Sequence, residues 1–82
     1  MTRIREQVSV IAAFGSNAKL RPLKFRWSGR QVSIKEITYE WTTSEGKNRL
    51  LHFSVTDGST LYELSFDTGA VKWRLEGVET EA

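Results

Sequence analysis

The chain has no cysteine, one proline and one histidine among 82 residues, and it contains no long apolar run. Without cysteine there is no disulfide, no thiolate nucleophile and no thiolate metal site. A reducing cytoplasm is the simplest location for such a chain, and the cytoplasm is the expected one. No apolar segment reaches membrane-spanning length, so no membrane partner is expected. Arg3 and Arg5 do precede the apolar stretch Val8 to Phe14, but that stretch is only seven residues long, contains Ser9 and has no convincing cleavage site after it, which argues against an export signal. The acids Glu36, Glu40, Glu45, Asp57 and Asp67 are scattered, in no spacing that matches a calcium loop or a zinc site, so no metal and no cofactor is expected.

What is present is glycine at informative places. Ser28-Gly29, Asp57-Gly58 and Asp67-Thr68-Gly69 each separate two runs in which apolar residues alternate. Glycine supplies the positive φ that tight hairpin turns require, so this punctuation predicts successive antiparallel hairpins. Around Ser28-Gly29, Phe25 is expected opposite Val32 and Leu23 opposite Ile34. Around Asp57-Gly58, Phe53 is expected opposite Tyr62 and Leu51 opposite Leu64. If Thr68-Gly69 are the central turn residues, Val71 faces Phe66 and Trp73 faces Leu64. Residues 6–14 alternate Val8, Val10, Ala12 and Phe14, which favours a strand, although Ile4, Val8 and Ile11 also fit a helical stripe. After Val32 and Ile34 the inward set becomes Ile37, Tyr39 and Trp41, a change of phase that requires a β-bulge or sharp bend near Lys35-Glu36. Thr42 to Asn48 reads as a polar loop.

The expected fold is therefore all-β: an antiparallel meander of five to six strands, curled into a small SH3-like or partly open barrel. One domain spans residues 1–82, with a core over 6–78 and an acidic tail over 79–82. A chain of this size buries only about 60 to 65% of its unfolded surface, so most apolar side chains serve the core and few remain for a deep pocket.

Charge is distributed unevenly. Residues 1–35 hold eight basic residues against Glu6 alone, whereas residues 36–82 hold nine acids against four bases. Such polarity steers a polyanion to one side of a domain, or lets the two halves attract each other within one chain or between copies. Lys24, Arg26 and Lys35 are expected on the outward face of the second and third strands, as a candidate phosphate-contacting patch or a solvated, aggregation-blocking face. All nine aromatics, Phe14, Phe25, Trp27, Tyr39, Trp41, Phe53, Tyr62, Phe66 and Trp73, fall on the inward phase, and core packing is the first expectation for each. Trp27 and Trp41 are the two that would line a groove in an open barrel, where bases stack on aromatic rings.

Several motifs are rejected. His52 is expected outward, opposite Glu63, which in turn faces Arg74. On an exposed sheet this is an electrostatic ladder and not a general-base dyad, which needs a recess. Asp67-Thr68-Gly69 matches the aspartic-protease signature, but only twelve residues follow Ala70, too few for a flap and dyad support. Gly15-Ser16-Asn17-Ala18-Lys19 lacks the second glycine and the Lys-Ser/Thr step of a phosphate-cradling loop. No catalytic residue is assigned, and the protein is expected not to be an enzyme.

Phe25-Arg26-Trp27, Gly29-Arg30, Ile34-Lys35-Glu36-Ile37, Trp41, Val55 before Asp57-Gly58, Tyr62-Glu63-Leu64 and Trp73-Arg74-Leu75 together resemble a group of small bacterial all-β domains of unknown function. Some members of that group are free-standing and others are appended to proteins associated with DNA-repair polymerases. The resemblance covers about residues 22–76 and implies a small bacterial all-β domain with no catalytic or binding residues to transfer; a binding or accessory module acting on a macromolecule is the expected function, with nucleic acid placed ahead of protein by the basic first half. The expected partner is nucleic acid or another protein. The alternative is a homodimer formed through an exposed strand, with Leu50 and Leu61 as outward contacts.

Overall fold

The computed structural model describes residues 1–80; Glu81 and Ala82, the end of the expected acidic tail, lie outside the described residues. Eight strands follow one another: β1 (Thr2–Gln7), β2 (Ser9–Phe14), β3 (Leu20–Trp27), β4 (Arg30–Ser33), β5 (Glu36–Glu45), β6 (Asn48–Thr56), β7 (Thr60–Asp67) and β8 (Lys72–Thr80). They form two antiparallel sheets, one of five strands in the order β1-β8-β7-β6-β5 and one of three in the order β2-β3-β4, and the sheets do not close into a barrel. No helix long and apolar enough to cross a membrane occurs among the described residues.

The count of eight exceeds the expected five to six because two long strands are bent. Val8 is the corner between β1 and β2, and its N–H donates to the carbonyl of Trp73 in β8 (3.2 Å). Residues 6–14, read as one strand, are thus divided between two sheets, and β1 starts before the expected boundary at residue 6. The second corner is Ile34-Lys35, next to the predicted bend. There Ile34 N–H donates to Leu23 O (3.0 Å) in one sheet and the very next donor, Lys35 N–H, goes to Thr56 O (2.8 Å) in the other. Splitting a pair of consecutive donors in this way keeps every corner N–H satisfied while the chain changes layer.

Between the layers lies the core: Val8, Phe25, Val32, Phe53, Val55, Tyr62, Leu64 and Leu75, flanked by half-buried Ile4, Trp27, Ile37, Leu51 and Trp73. The first hairpin has the expected register, with Phe25 opposite Val32 and positive φ at both Ser28 and Gly29 (54° and 76°). The next two are each displaced by two residues. Gly58-Ser59, not Asp57-Gly58, are the central residues of the β6–β7 turn, so Phe53 faces Leu64 and Val55 faces Tyr62. In the β7–β8 connection Thr68 to Val71 are all turn, so Phe66 faces Trp73, Leu64 faces Leu75, and Val71 is expelled to the surface (69% exposed). A slip of two preserves the side-chain phase, so the inward residues of the three strands other than Val71 keep their face while their partners change.

Other expectations fail locally. Residues 42–48 are not a loop: β5 runs to Glu45 and turns at Gly46-Lys47 with φ +63° at the glycine, making a further hairpin. Glu79 and Thr80, expected in an acidic tail outside the core, continue β8 and pair with Leu61 and Thr60, and Glu79 Oε1 lies 3.1 Å from the Met1 ammonium group. Leu23 is turned outward (39% exposed) because the β2–β3 register shifts between Ile11 and Ala12, leaving Leu23 as the extra residue of a bulge.

Aspartates organise both of these turns. Asp57 Oδ1 accepts from Ser59 N–H and Thr60 N–H (both 2.9 Å), and Asp67 Oδ1 accepts from Gly69 N–H (2.9 Å) and Ala70 N–H (3.0 Å). The Ser59 and Ala70 amides, first among the causes, hold the two carboxyls below their usual range. Their contribution to stability is therefore complete above the ordinary carboxylate range and is lost as pH falls through the lower folded-state values. Replacing both by Asn, which still accepts the turn bonds, should flatten the acid limb of a plot of melting temperature against pH; an unchanged limb would refute this assignment. Val71 closes its turn with an N–H bond to Asp67 O (2.7 Å) at φ +56°, a conformation costly for a β-branched residue. Val71→Gly should raise stability by about 0.5–1 kcal/mol in a thermal melt, the relief of left-handed strain exceeding the added chain entropy.

Candidate functional site

The fold separates charge by layer. Residues 9–33, which build β2, β3 and β4, contain five basic residues, Lys19, Arg21, Lys24, Arg26 and Arg30, and no acid. Nearly all the carboxylates belong to the five-stranded sheet or its turns. Two rows run across the outer face of the basic sheet, Ser9–Arg26–Gln31 and Ile11–Lys24–Ser33, each held in place by backbone pairing. Arg21, Arg26 and Arg30 are exposed and Lys24 is half-buried. Among the described residues only Lys19 of these five cations has a carboxylate within 4.0 Å, that of Glu40 at 3.5 Å. Ile11 (54% exposed) interrupts the polar rows, and a shallow groove of about 160 Å³ lies between Ile11, Lys24, Arg26 and Gln31. Lys35, expected on this face, is elsewhere: at the second corner its side chain lies over Gly58, where an added Cβ would sit 3.1 Å from Lys35 Nζ.

Trp27 and Trp41 do not share a groove. Trp27 packs edge-on to Tyr62 (6.4 Å between ring centres, 78°) against the core. Trp41 is on the opposite, outer surface of the five-stranded sheet, stacked on His52 (5.0 Å, 6°) and on Tyr39 (5.5 Å, 29°). A second phase change, absent from the sequence reading, explains the difference. The β5–β6 register shifts between Ile37 and Tyr39, with the Thr38 hydroxyl donating to Ser54 O (3.1 Å). Ile37 stays inside, whereas Tyr39 and Trp41 turn outward and Tyr39 becomes 66% exposed.

His52 is buried (9% exposed), not a solvent-facing ladder member, because Trp41 covers it. With the two-residue slip its direct partner is Ser65, and Glu63 lies diagonally, with Oε2 3.8 Å from His52 Nδ1. His52 Nε2 is 2.7 Å from the Thr43 hydroxyl, while Nδ1 has no hydrogen-bond partner. Ser65 Oγ donates to Glu76 Oε2 (2.6 Å), and Arg3 approaches Glu63 at 3.9 Å. These groups engage one another across the sheet surface, with Trp41 covering the His52 ring. Leu50 and Leu61 are half-buried on the same surface. No group of three or more metal-ligating acidic, His or Cys side chains occurs among the described residues.

A large recess lies at one open end of the sandwich. Phe14 and Leu20 of the β2–β3 hairpin line a cleft of about 540 Å³ together with Leu51, Phe53 and Phe66 of the five-stranded sheet. Phe14 keeps the inward phase read from sequence but has little packed against it and is 72% exposed. The Thr38 bulge brings Glu40 and Thr42 to this side of β5, paired with Phe53 and Leu51, so that the cleft rim is polar: Lys19, Glu40, Thr42 and Thr68. Lys19 is held by a tight turn in which Asn17 Oδ1 accepts its N–H (3.1 Å) and Gly15 N–H donates to its carbonyl (3.0 Å). No sequence signal marked Glu40 or Thr42, because a polar residue on an inward phase looks like a surface residue until the bulge and the missing opposite layer are known.

No protein-family model, curated protein or solved structure matches the chain.

Proposed function

We propose that the protein is a non-enzymatic binding module for nucleic acid, whose phosphates lie on the outer face of β2, β3 and β4. The observation that carries this reading is that residues 9–33 hold five basic residues and no acid, with Arg21, Lys24 and Arg26 on the outer face of a sheet that no other element covers among the described residues. Phosphate recognition needs clustered positive charge and polar donors at fixed positions, and Lys24, Arg26, Gln31, Ser33 and Ser9 supply both. Rigid strand pairing lowers the ordering cost of binding relative to the same cations in a loop. The acids on the other layer repel a polyanion from that side and orient its approach. The absence of cysteine suits a cytoplasmic setting.

Three phosphate contacts, at Arg21, Lys24 and Arg26, give a slope of about −2 to −3 in log K against log salt, so affinity for an oligonucleotide should fall about 20- to 40-fold between 50 and 200 mM salt. Lys24→Glu combined with Arg26→Glu should abolish the signal in a fluorescence-anisotropy titration while leaving the circular dichroism spectrum unchanged, since neither side chain is in the core. Retained binding by that variant would rule out this face.

A second reading is self-association through β5, favoured by its ten-residue length and its position at the edge of the five-stranded sheet. Such an edge offers unpaired backbone groups to another copy. Sedimentation velocity across a concentration series decides it: a concentration-dependent shift to dimer supports pairing, and a monomer at high micromolar concentration eliminates it.

A further inference from the structure

We infer that the cleft beside Phe14 receives one unstacked nucleobase, which makes the module selective for single-stranded over duplex nucleic acid. This inference rests on the phosphate-face reading and extends it to a second element of the same site. The cleft, at about 540 Å³, falls within the range of about 300–1,000 Å³ typical of ligand sites and has apolar walls, Phe14 and Leu20 on one side and Leu51, Phe53 and Phe66 on the other. Phe14 is the most exposed of the large apolar side chains at 72%, an unfavourable position for a phenyl ring in a domain with so little core to spare. A base stacking on Phe14 covers that surface, and stacking on an aromatic ring tolerates any base because each has a π-face.

The rim completes the recognition chemistry. Glu40 is an acceptor suited to an exocyclic amino group, and Thr42 both donates and accepts. Lys19, now 3.5 Å from Glu40 and 62% exposed at its side chain, is placed to exchange that carboxylate for the phosphate of the inserted nucleotide. The nucleic-acid strand then rounds the β2–β3 hairpin to the outer face of that sheet and runs over Arg21, Lys24 and Arg26, the last about 23 Å from Lys19 at the strand rise of about 3.3 Å per residue. A duplex presents phosphates to the basic face equally well, but its bases are paired and stacked and cannot enter the cleft.

The test uses the full 82-residue chain and three fluorescein-labelled probes at 50 mM salt: a cytosine dodecanucleotide, an abasic dodecamer of the same charge, and a twelve-base-pair duplex. The cytosine strand should bind at least tenfold more tightly than the abasic one. Phe14→Ala, which removes an exposed ring and leaves the core intact, should lower cytosine-strand affinity to the abasic level while leaving abasic and duplex binding unchanged. Equal binding of cytosine and abasic strands, or a loss on Phe14→Ala that is the same for all three probes, overturns base insertion and leaves the phosphate reading standing. If neither the abasic strand nor the duplex binds and the cytosine strand also fails, the phosphate reading falls and this inference with it.

Discussion

The edge-to-face contact between Tyr62 and Phe25 joins the two layers, and the rest of the molecule is arranged around it. The ring centres are 5.1 Å apart at 79°, each residue is 1% exposed, and Trp27 closes on the same tyrosine from the side. Tyr62 belongs to the acid-rich sheet and Phe25 to the basic one, so this contact fixes how two oppositely charged layers face each other. Its polar end is also accounted for: the hydroxyl donates to Asp57 Oδ2 at 3.4 Å, and burial, followed by the Asp57 charge, raises the phenol above its usual range. An aromatic pair of this geometry contributes beyond its buried area, which matters in a domain whose buried hydrophobic cluster comprises eight residues among those described.

Two corners make that contact possible without loose ends. At Val8 and at Ile34-Lys35 the chain steps from one sheet to the other while each backbone donor finds an acceptor. The layers are thereby tied along both sides and left open at an end, where the β2–β3 hairpin lines the apolar cleft. A closed barrel of the same residues would have packed Phe14 inside, and the basic sheet would have had no recess beside it.

The Thr38 bulge has the largest effect of any single local feature. One extra residue sends Tyr39 and Trp41 to the outer surface, where Trp41 buries His52, and sends Glu40 and Thr42 to the cleft. The same shift thus converts an expected core pair into a surface stack and gives the apolar cleft its polar rim. Lys35 is removed from the basic patch by a related cause, since it sits at the second corner, where its N–H pairs with the other sheet and its side chain leans over the β6–β7 turn.

The all-β class, the single core, the inward phase of Phe25, Val32, Phe53, Tyr62 and Leu64, and the imbalance of charge along the chain were all determined by sequence, because a period of two and the placement of glycine act locally. Tertiary structure alone decided the partners across β6, β7 and β8, the outward rotation of Trp41, the burial of His52 and the existence of the cleft. A two-residue slip or a bulge leaves the pattern of apolar residues unaltered, and only packing of one layer on the other selects among registers that the pattern treats as equal.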